Sequence, residues 1–138
     1  KITDNPYDFS FSGVKSAVLN YINGCRMKQI PIVEADIAAS FQKAVTDVLI
    51  EHAMAAVKES RIKKLAIAGG VAANGVLRRG MQEACQRRGI EFFYPTPIFC
   101  TDNAAMIGTA AYYEYLSGKR DGWDLNAIPN LKLGQARD

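Results

Sequence analysis

The sequence is poor in the side chains from which most metal and redox sites are built. Its 138 residues include three cysteines, one histidine and one tryptophan. Cys25, Cys85 and Cys100 cannot all pair with one another, and no CxxC spacing occurs. A disulfide-stapled scaffold is therefore not expected, and each cysteine reads as a small buried hydrophobe. No signal peptide opens the chain, so a reducing, cytoplasmic compartment is the expectation. Any histidine-based triad must run through His52, and a zinc site with two histidines cannot be assembled from this sequence. HExxH, GxGxxG and GxxxxGK[ST] are all missing. So is any apolar run of about 18 residues, and no membrane-spanning helix is expected.

What is present is globular. Hydrophobic residues make up 49% and charged ones 22%, and 17 Lys and Arg against 14 Asp and Glu give a net charge of +3. Those values exclude a disordered chain, and a charge this mild does not by itself indicate nucleic acid. A chain of this length buries roughly two-thirds of its unfolded surface, which suits residues 1–138 as one domain or one lobe. No repeat, low-complexity tract or linker interrupts it.

Asp8-Phe9-Ser10-Phe11-Ser12 alternates with period two and reads as a short strand or extended entry. A short helix over 13–23, stopped by Asn23-Gly24, and a connector to about Val33 follow. The longest helix is expected from about Ala35 to Ser60. Its apolar stripe comprises Ile37, Phe41, Val45, Val48, His52 and Ala55, and Asp36 serves as cap or dipole partner. His52 on that stripe reads as a buried, hydrogen-bonded histidine. Leu65–Ala68, bounded by Gly69-Gly70, has the pattern of a buried parallel strand. A helix over Val71–Arg88 presents Val76, Leu77, Met81 and Ala84 inward and ends at Gly89. A second strand over Ile90–Tyr94 closes at Pro95-Thr96-Pro97, a last helix spans Asn103–Ser117, and an irregular polar tail follows. Strand, helix, strand, helix is an α/β order. Two strands are few for so much helix, which suggests part of something larger.

In open α/β sheets ligands bind beyond the carboxyl ends of the strands. Two segments qualify. In Gly69-Gly70-Val71-Ala72-Ala73-Asn74 the paired glycines let a ligand approach the backbone, and a helix N-terminus offers N–H groups to an anion. Asn74 falls in the first turn of that helix, and a ligand-free tight turn is the competing reading. In Cys100-Thr101-Asp102-Asn103-Ala104-Ala105-Met106, Asp102 is either a helix cap or a metal or active-site carboxylate. Ala104, Ala105, Gly108 and Ala111 read as packing. The basic pairs Lys63-Lys64, Arg78-Arg79, Arg87-Arg88 and Lys119-Arg120 read as solvated surface, or as an edge for a phosphate backbone.

Four motifs, in order and spacing, resemble one family. They are Asp8-Phe9-Ser10-Phe11-Ser12-Gly13-Val14-Lys15, Ala38-Ala39-Ser40-Phe41-Gln42, Gly69–Asn74 with Leu77-Arg78, and Cys100–Ile107. The family is the catalytic subunit of bacterial tRNA threonylcarbamoyladenosine synthesis, formerly described as an O-sialoglycoprotein endopeptidase or glycoprotease. The resemblance extends from about Tyr7 to Leu133. It implies the second lobe of a two-lobed fold of the actin, heat-shock-ATPase and hexokinase type. It also implies transfer of a threonylcarbamoyl group from its adenylate to the exocyclic amine of an adenosine beside the tRNA anticodon, with partner subunits. By the resemblance Asn74, with Gly69 and Gly70, contacts the adenylate, and Asp102 binds a divalent metal, iron or else zinc. The family's remaining ligands come from an H-x-x-x-H helix in the first lobe, and His52 matches neither histidine. The chain alone is therefore expected to bind iron weakly, not to turn over, and to self-associate through uncovered surface. Ser10, Ser12 and Lys15 receive no chemical role. The other readings are a non-catalytic docking lobe, a kinase of the same superfold, and a metalloprotease, the last disfavoured by the single histidine.

Overall fold

Amphipathic helices must cover the sheet that this sequence can build, and the helices far outweigh it. The computed structural model describes residues 7, 8 and 10–130. Their order is α1 (Ser12–Met27), α2 (Glu34–Ser60), β1 (Lys64–Ala66), α3 (Gly75–Gln86), β2 (Glu91–Phe93) and α4 (Ala104–Leu116). Two single 3-10 turns, Gly70–Ala73 and Pro97–Phe99, follow the two strands. β1 and β2 pair in parallel, Lys64 opposite Glu91, Leu65 opposite Phe92 and Ala66 opposite Phe93. This is a small α/β arrangement in which α3 is the crossover, as parallel strands require. By contact the chain divides into two units, Lys1–Asp102 and Asn103–Asp138.

The core of the first unit lies between the C-terminal half of α2, α3 and the sheet. Met54, Val57, Leu77, Met81, Ala84, Cys85 and Ile90 are buried there, with Leu65, Ile67 and Phe92 packed against them. The inward face expected for α3 is the observed one, extended by Cys85 and with Val76 only half-buried. α3 approaches α2 closely at Gly80, where a Cβ would stand 2.6 Å from the Ile50 Cδ1. All three cysteines are buried and unpaired.

Several expectations need correction. Asn23-Gly24 does not stop α1, which continues to Met27 and buries Cys25. An interior glycine costs a helix only about 1 kcal/mol, and burial offsets that. The α2 stripe is displaced: Thr46, Met54 and Val57 are its buried residues, while Phe41 and Ala55 are exposed. α2 faces α1 along its N-terminal half and α3 along its C-terminal half, so one continuous stripe does not describe it. Val33 is its N-cap without a side-chain bond, leaving Glu34 and Asp36 to the helix dipole. β1 is not buried on both faces, since only Leu65 of its three residues is half-buried. No strand forms at the described residues between Asp8 and Ser12, and Phe9 lies outside the described residues. Instead the Ser10 Oγ accepts from the Ser12 backbone N–H at 3.3 Å and lies 2.9 Å from the Ser12 Oγ, bracing the start of α1.

The second unit is built on α4. Asn103 caps it by accepting from the Met106 N–H at 2.9 Å, and Gly118 at φ +88° follows its end. Every residue of α4 is exposed, Ala104, Ala105, Gly108 and Ala111 among them. Arg120 lies 3.7 Å from the Tyr115 ring centroid. No described helix is long and apolar enough to cross a membrane.

Candidate functional site

Both candidate segments leave the carboxyl ends of the parallel strands. The strand register sets them side by side, with the Ile67 N–H donating to the Phe93 carbonyl at 3.0 Å as the last link before they diverge. The first segment turns at Gly69, whose φ of +87° lies in the region that only glycine enters without strain. A Cβ added at Gly69 or at Gly70 would meet no atom within 4 Å. Gly70 also lacks a positive φ, so neither conformation nor packing in this chain demands glycine there.

The helix after the glycines is not α3, as the sequence suggested, but one 3-10 turn ending at Ala73. Asn74 is the N-cap of α3. Its Oδ1 accepts from the Val76 and Leu77 N–H groups at 2.9 and 3.0 Å. Those donors are therefore not open to an anion. The Asn74 Nδ2 donates to the Gln42 Oε1 at 3.1 Å, tying the cap to α2. A cavity of about 470 Å³ opens between them.

The second segment is held by a residue that composition hid within a basic pair. Arg78, half-buried on α3, donates through Nη2 to the Pro95 carbonyl at 2.8 Å and to the Cys100 Sγ at 3.0 Å. Its Nε donates to the Ala72 carbonyl in the first segment. Its guanidinium also stands 4.8 Å from the centroid of the Tyr94 ring. One planar, multidentate cation thus fastens both loops, a task lysine cannot duplicate. Cys100, buried, adds a thiol contact to the Thr96 carbonyl at 3.5 Å. The other basic residues behave as surface. Lys64 pairs with Glu91 at 3.7 Å and Arg87 with Glu83 at 4.0 Å, both exposed.

Gly69, Gly70 and Asn74 therefore share one turn. Asp102 lies two residues beyond the anchored Cys100 and is exposed. It is not the cap of α4, because Asn103 takes that position, and it makes no described bond to the Gly69–Asn74 turn. No three His, Cys, Asp or Glu side chains cluster among the described residues. One exposed carboxylate does not hold a transition ion, so these residues alone do not fit the metal that the resemblance implies. His52 is half-buried, and its Nδ1 donates to the Tyr7 carbonyl at 3.1 Å in the wall of an apolar cavity of about 560 Å³. That matches the hydrogen-bonded histidine expected, short of full burial.

Known proteins bear directly on these loops. A family model described as TsaD, tRNA N6-adenosine threonylcarbamoyltransferase, matches residues 1–109. A Clostridium botulinum (strain 657 / Type Ba4) protein named tRNA N6-adenosine threonylcarbamoyltransferase is 55% identical over 132 residues, 96% of this chain and 39% of that protein. Proteins of the same name from Clostridium novyi (strain NT) and Clostridium beijerinckii are 59% and 54% identical over 93% and 98% of this chain. The chain covers 38% and 40% of those two relatives, well under half their length. The match reaches through both strand-end loops and the cap of α4, and on it the chain belongs to the TsaD family of tRNA N6-adenosine threonylcarbamoyltransferases.

Proposed function

We propose that the protein to which this chain belongs transfers a threonylcarbamoyl group from threonylcarbamoyl-adenylate to the exocyclic amine of an adenosine beside the tRNA anticodon. In that reaction the amine nitrogen forms a bond to the carbamoyl carbon. The bond from that carbon to the adenylate's phosphate oxygen breaks, AMP departs, and the amine proton is lost to water. The chain acts as the second lobe of a two-lobed, actin-like protein in the cytoplasm, alongside partner subunits. Its share of the work is binding and orientation, which can supply much of a group-transfer barrier.

The observation that carries this reading is Gly70. Nothing in the fold requires glycine there, yet a Cβ would project into open space at a strand end, where α/β proteins seat ligands. Close approach of the adenylate supplies the missing reason. Asn74 belongs to the same contact, with its side chain set by the α3 cap and by Gln42. Asp102 is one contributor to a divalent metal, iron or zinc, whose other ligands come from outside these residues.

The test is Gly70→Ala in the intact protein, assayed with its partner subunits, threonylcarbamoyl-adenylate and unmodified tRNA. The thermal midpoint should be unchanged, while transfer falls by up to about 100-fold, the scale of a misplaced reactant. Transfer at the wild-type rate would remove the ligand from this turn.

A further inference from the structure

The places where Arg78 grips the two strand-end loops decide what it can transmit between them. Its backbone N–H donates to the Asn74 carbonyl at 3.0 Å, so it stands one helical turn after the cap of α3. Helix side chains lean toward the N-terminus, and this one reaches back over the cap to the Ala72 carbonyl. Ala72 precedes Asn74 by two residues, and Cys100, at the other end of the clamp, precedes Asp102 by two. Each candidate contact with the reactants thus lies two residues from a bond to the same guanidinium.

The clamp is stiff. Nε and Nη2 belong to one rigid plane, so the separation of their acceptors is set by covalent geometry rather than by a rotamer. The plane is itself braced from below. The Tyr94 ring centroid stands 4.8 Å from the guanidinium, the Tyr94 and Phe92 rings meet at 5.2 Å, and Phe92 packs on the α2–α3 core. Ala72 and Cys100 are both buried. Neither can exchange its bond to Arg78 for one to water unless its loop moves.

We propose that Arg78 is a positioning residue for the transfer reaction and that it couples the two loops. With adenylate on the Gly69–Asn74 turn, the Cys100–Asp102 segment is held in place. With that segment displaced, the turn loses its brace and binds adenylate less well, and linkage makes the two effects equal in size. The inference rests on the adenylate reading given above and adds how an occupied turn fixes the Asp102 carboxylate.

AMP is the probe and two cysteines are the reporters. Cys100, 3% exposed, is reached when its loop lifts, whereas Cys85, 1% exposed, is reached only when the α2–α3 core opens. The intact wild-type protein, Arg78→Lys and the exposed neighbour's variant Arg79→Lys are alkylated with and without saturating AMP. Calorimetry measures AMP affinity, and peptide mass spectrometry measures both labelling rates. In wild type and Arg79→Lys, AMP should slow Cys100 labelling at least about fivefold beyond any slowing of Cys85. In Arg78→Lys, with AMP bound, that excess should vanish. With partner subunits and unmodified tRNA, the same variant should lose about tenfold in kcat, with KM for threonylcarbamoyl-adenylate changed less. A merely structural Arg78 would speed Cys100 labelling equally with and without AMP, leaving the excess intact, and that result would overturn the coupling. So would wild type binding AMP without excess protection of Cys100, a comparison that needs no variant to fold. An unchanged kcat in Arg78→Lys would overturn the positioning role. Failure of wild type to bind AMP at all would overturn the adenylate reading and this inference with it.

Discussion

Replacing Arg78 by methionine should loosen both strand-end loops at once. Methionine keeps most of the aliphatic stem but none of the donors. The bonds to the Pro95 carbonyl at 2.8 Å and the Cys100 Sγ at 3.0 Å disappear, as does the bond to the Ala72 carbonyl. Because Arg78 is only half-buried, water can partly replace it, and each strong bond is set near the lower end of its range, about 1 kcal/mol. The contact with the Tyr94 ring at 4.8 Å adds about 0.5 kcal/mol. The sum is about 3.5 kcal/mol, or roughly 15–25 °C in thermal midpoint for a unit of about 100 residues. Arg78→Lys should fall between, since one ammonium cannot span three acceptors. Urea unfolding gives the free energy, and mass-spectrometric alkylation gives the second readout, because Cys100 should react faster in the methionine variant. A loss below about 0.5 kcal/mol, the scale of an ordinary surface substitution, with unchanged Cys100 labelling, would refute the fastening role.

Three further outcomes follow from the same structure. Met81→Ala, at a site 2% exposed in the centre of the α2–α3 core, should cost about 2–5 kcal/mol by urea unfolding. Asn74→Ala removes the acceptor for two α3 N–H groups and should cost about 1 kcal/mol. Asn74→Asp keeps the cap, so calorimetry should find stability retained but adenylate binding weakened. Burial holds the Cys85 thiol above its ordinary value of 9.0, with Arg88 pulling it down less strongly. A raised folded value means its contribution is present below the unfolded pKa and is lost as pH climbs through the folded one. Urea midpoints should therefore fall above about pH 9, and that fall should be shallower in Cys85→Ala.

The sequence carried more of the packing than of the site. Leu77, Met81 and Ala84 fall at helical spacing, and a single partner layer buries them, so periodicity suffices. On α2 the same method failed, because two different partners divide the helix and shift its buried face from Phe41 to Thr46, Met54 and Val57. Gly69 was legible because a left-handed turn leaves few alternatives to glycine. Asp102 and Asn103 are both good caps, and only the register of α4 selects Asn103. Arg78 was hidden for a general reason. Its acceptors are two backbone carbonyls and a thiol reached across the fold, and backbone carbonyls leave no mark in a sequence. Gln42 was noticed as part of a motif, but its bond to Asn74 spans 32 positions and shows only once α2 lies against the turn.

The central claim is that the Gly69–Asn74 turn and the Cys100–Asp102 segment form one adenylate-binding transferase site. Nucleoside mass analysis of unmodified tRNA tests it most directly, after incubation with the intact protein, its partner subunits and threonylcarbamoyl-adenylate. The wild-type protein should convert the adenosine beside the anticodon to its threonylcarbamoyl form, and Asn74→Asp and Asp102→Ala should each abolish the product while remaining folded. An unmodified adenosine with the wild-type protein, or full modification by both variants, would contradict the account.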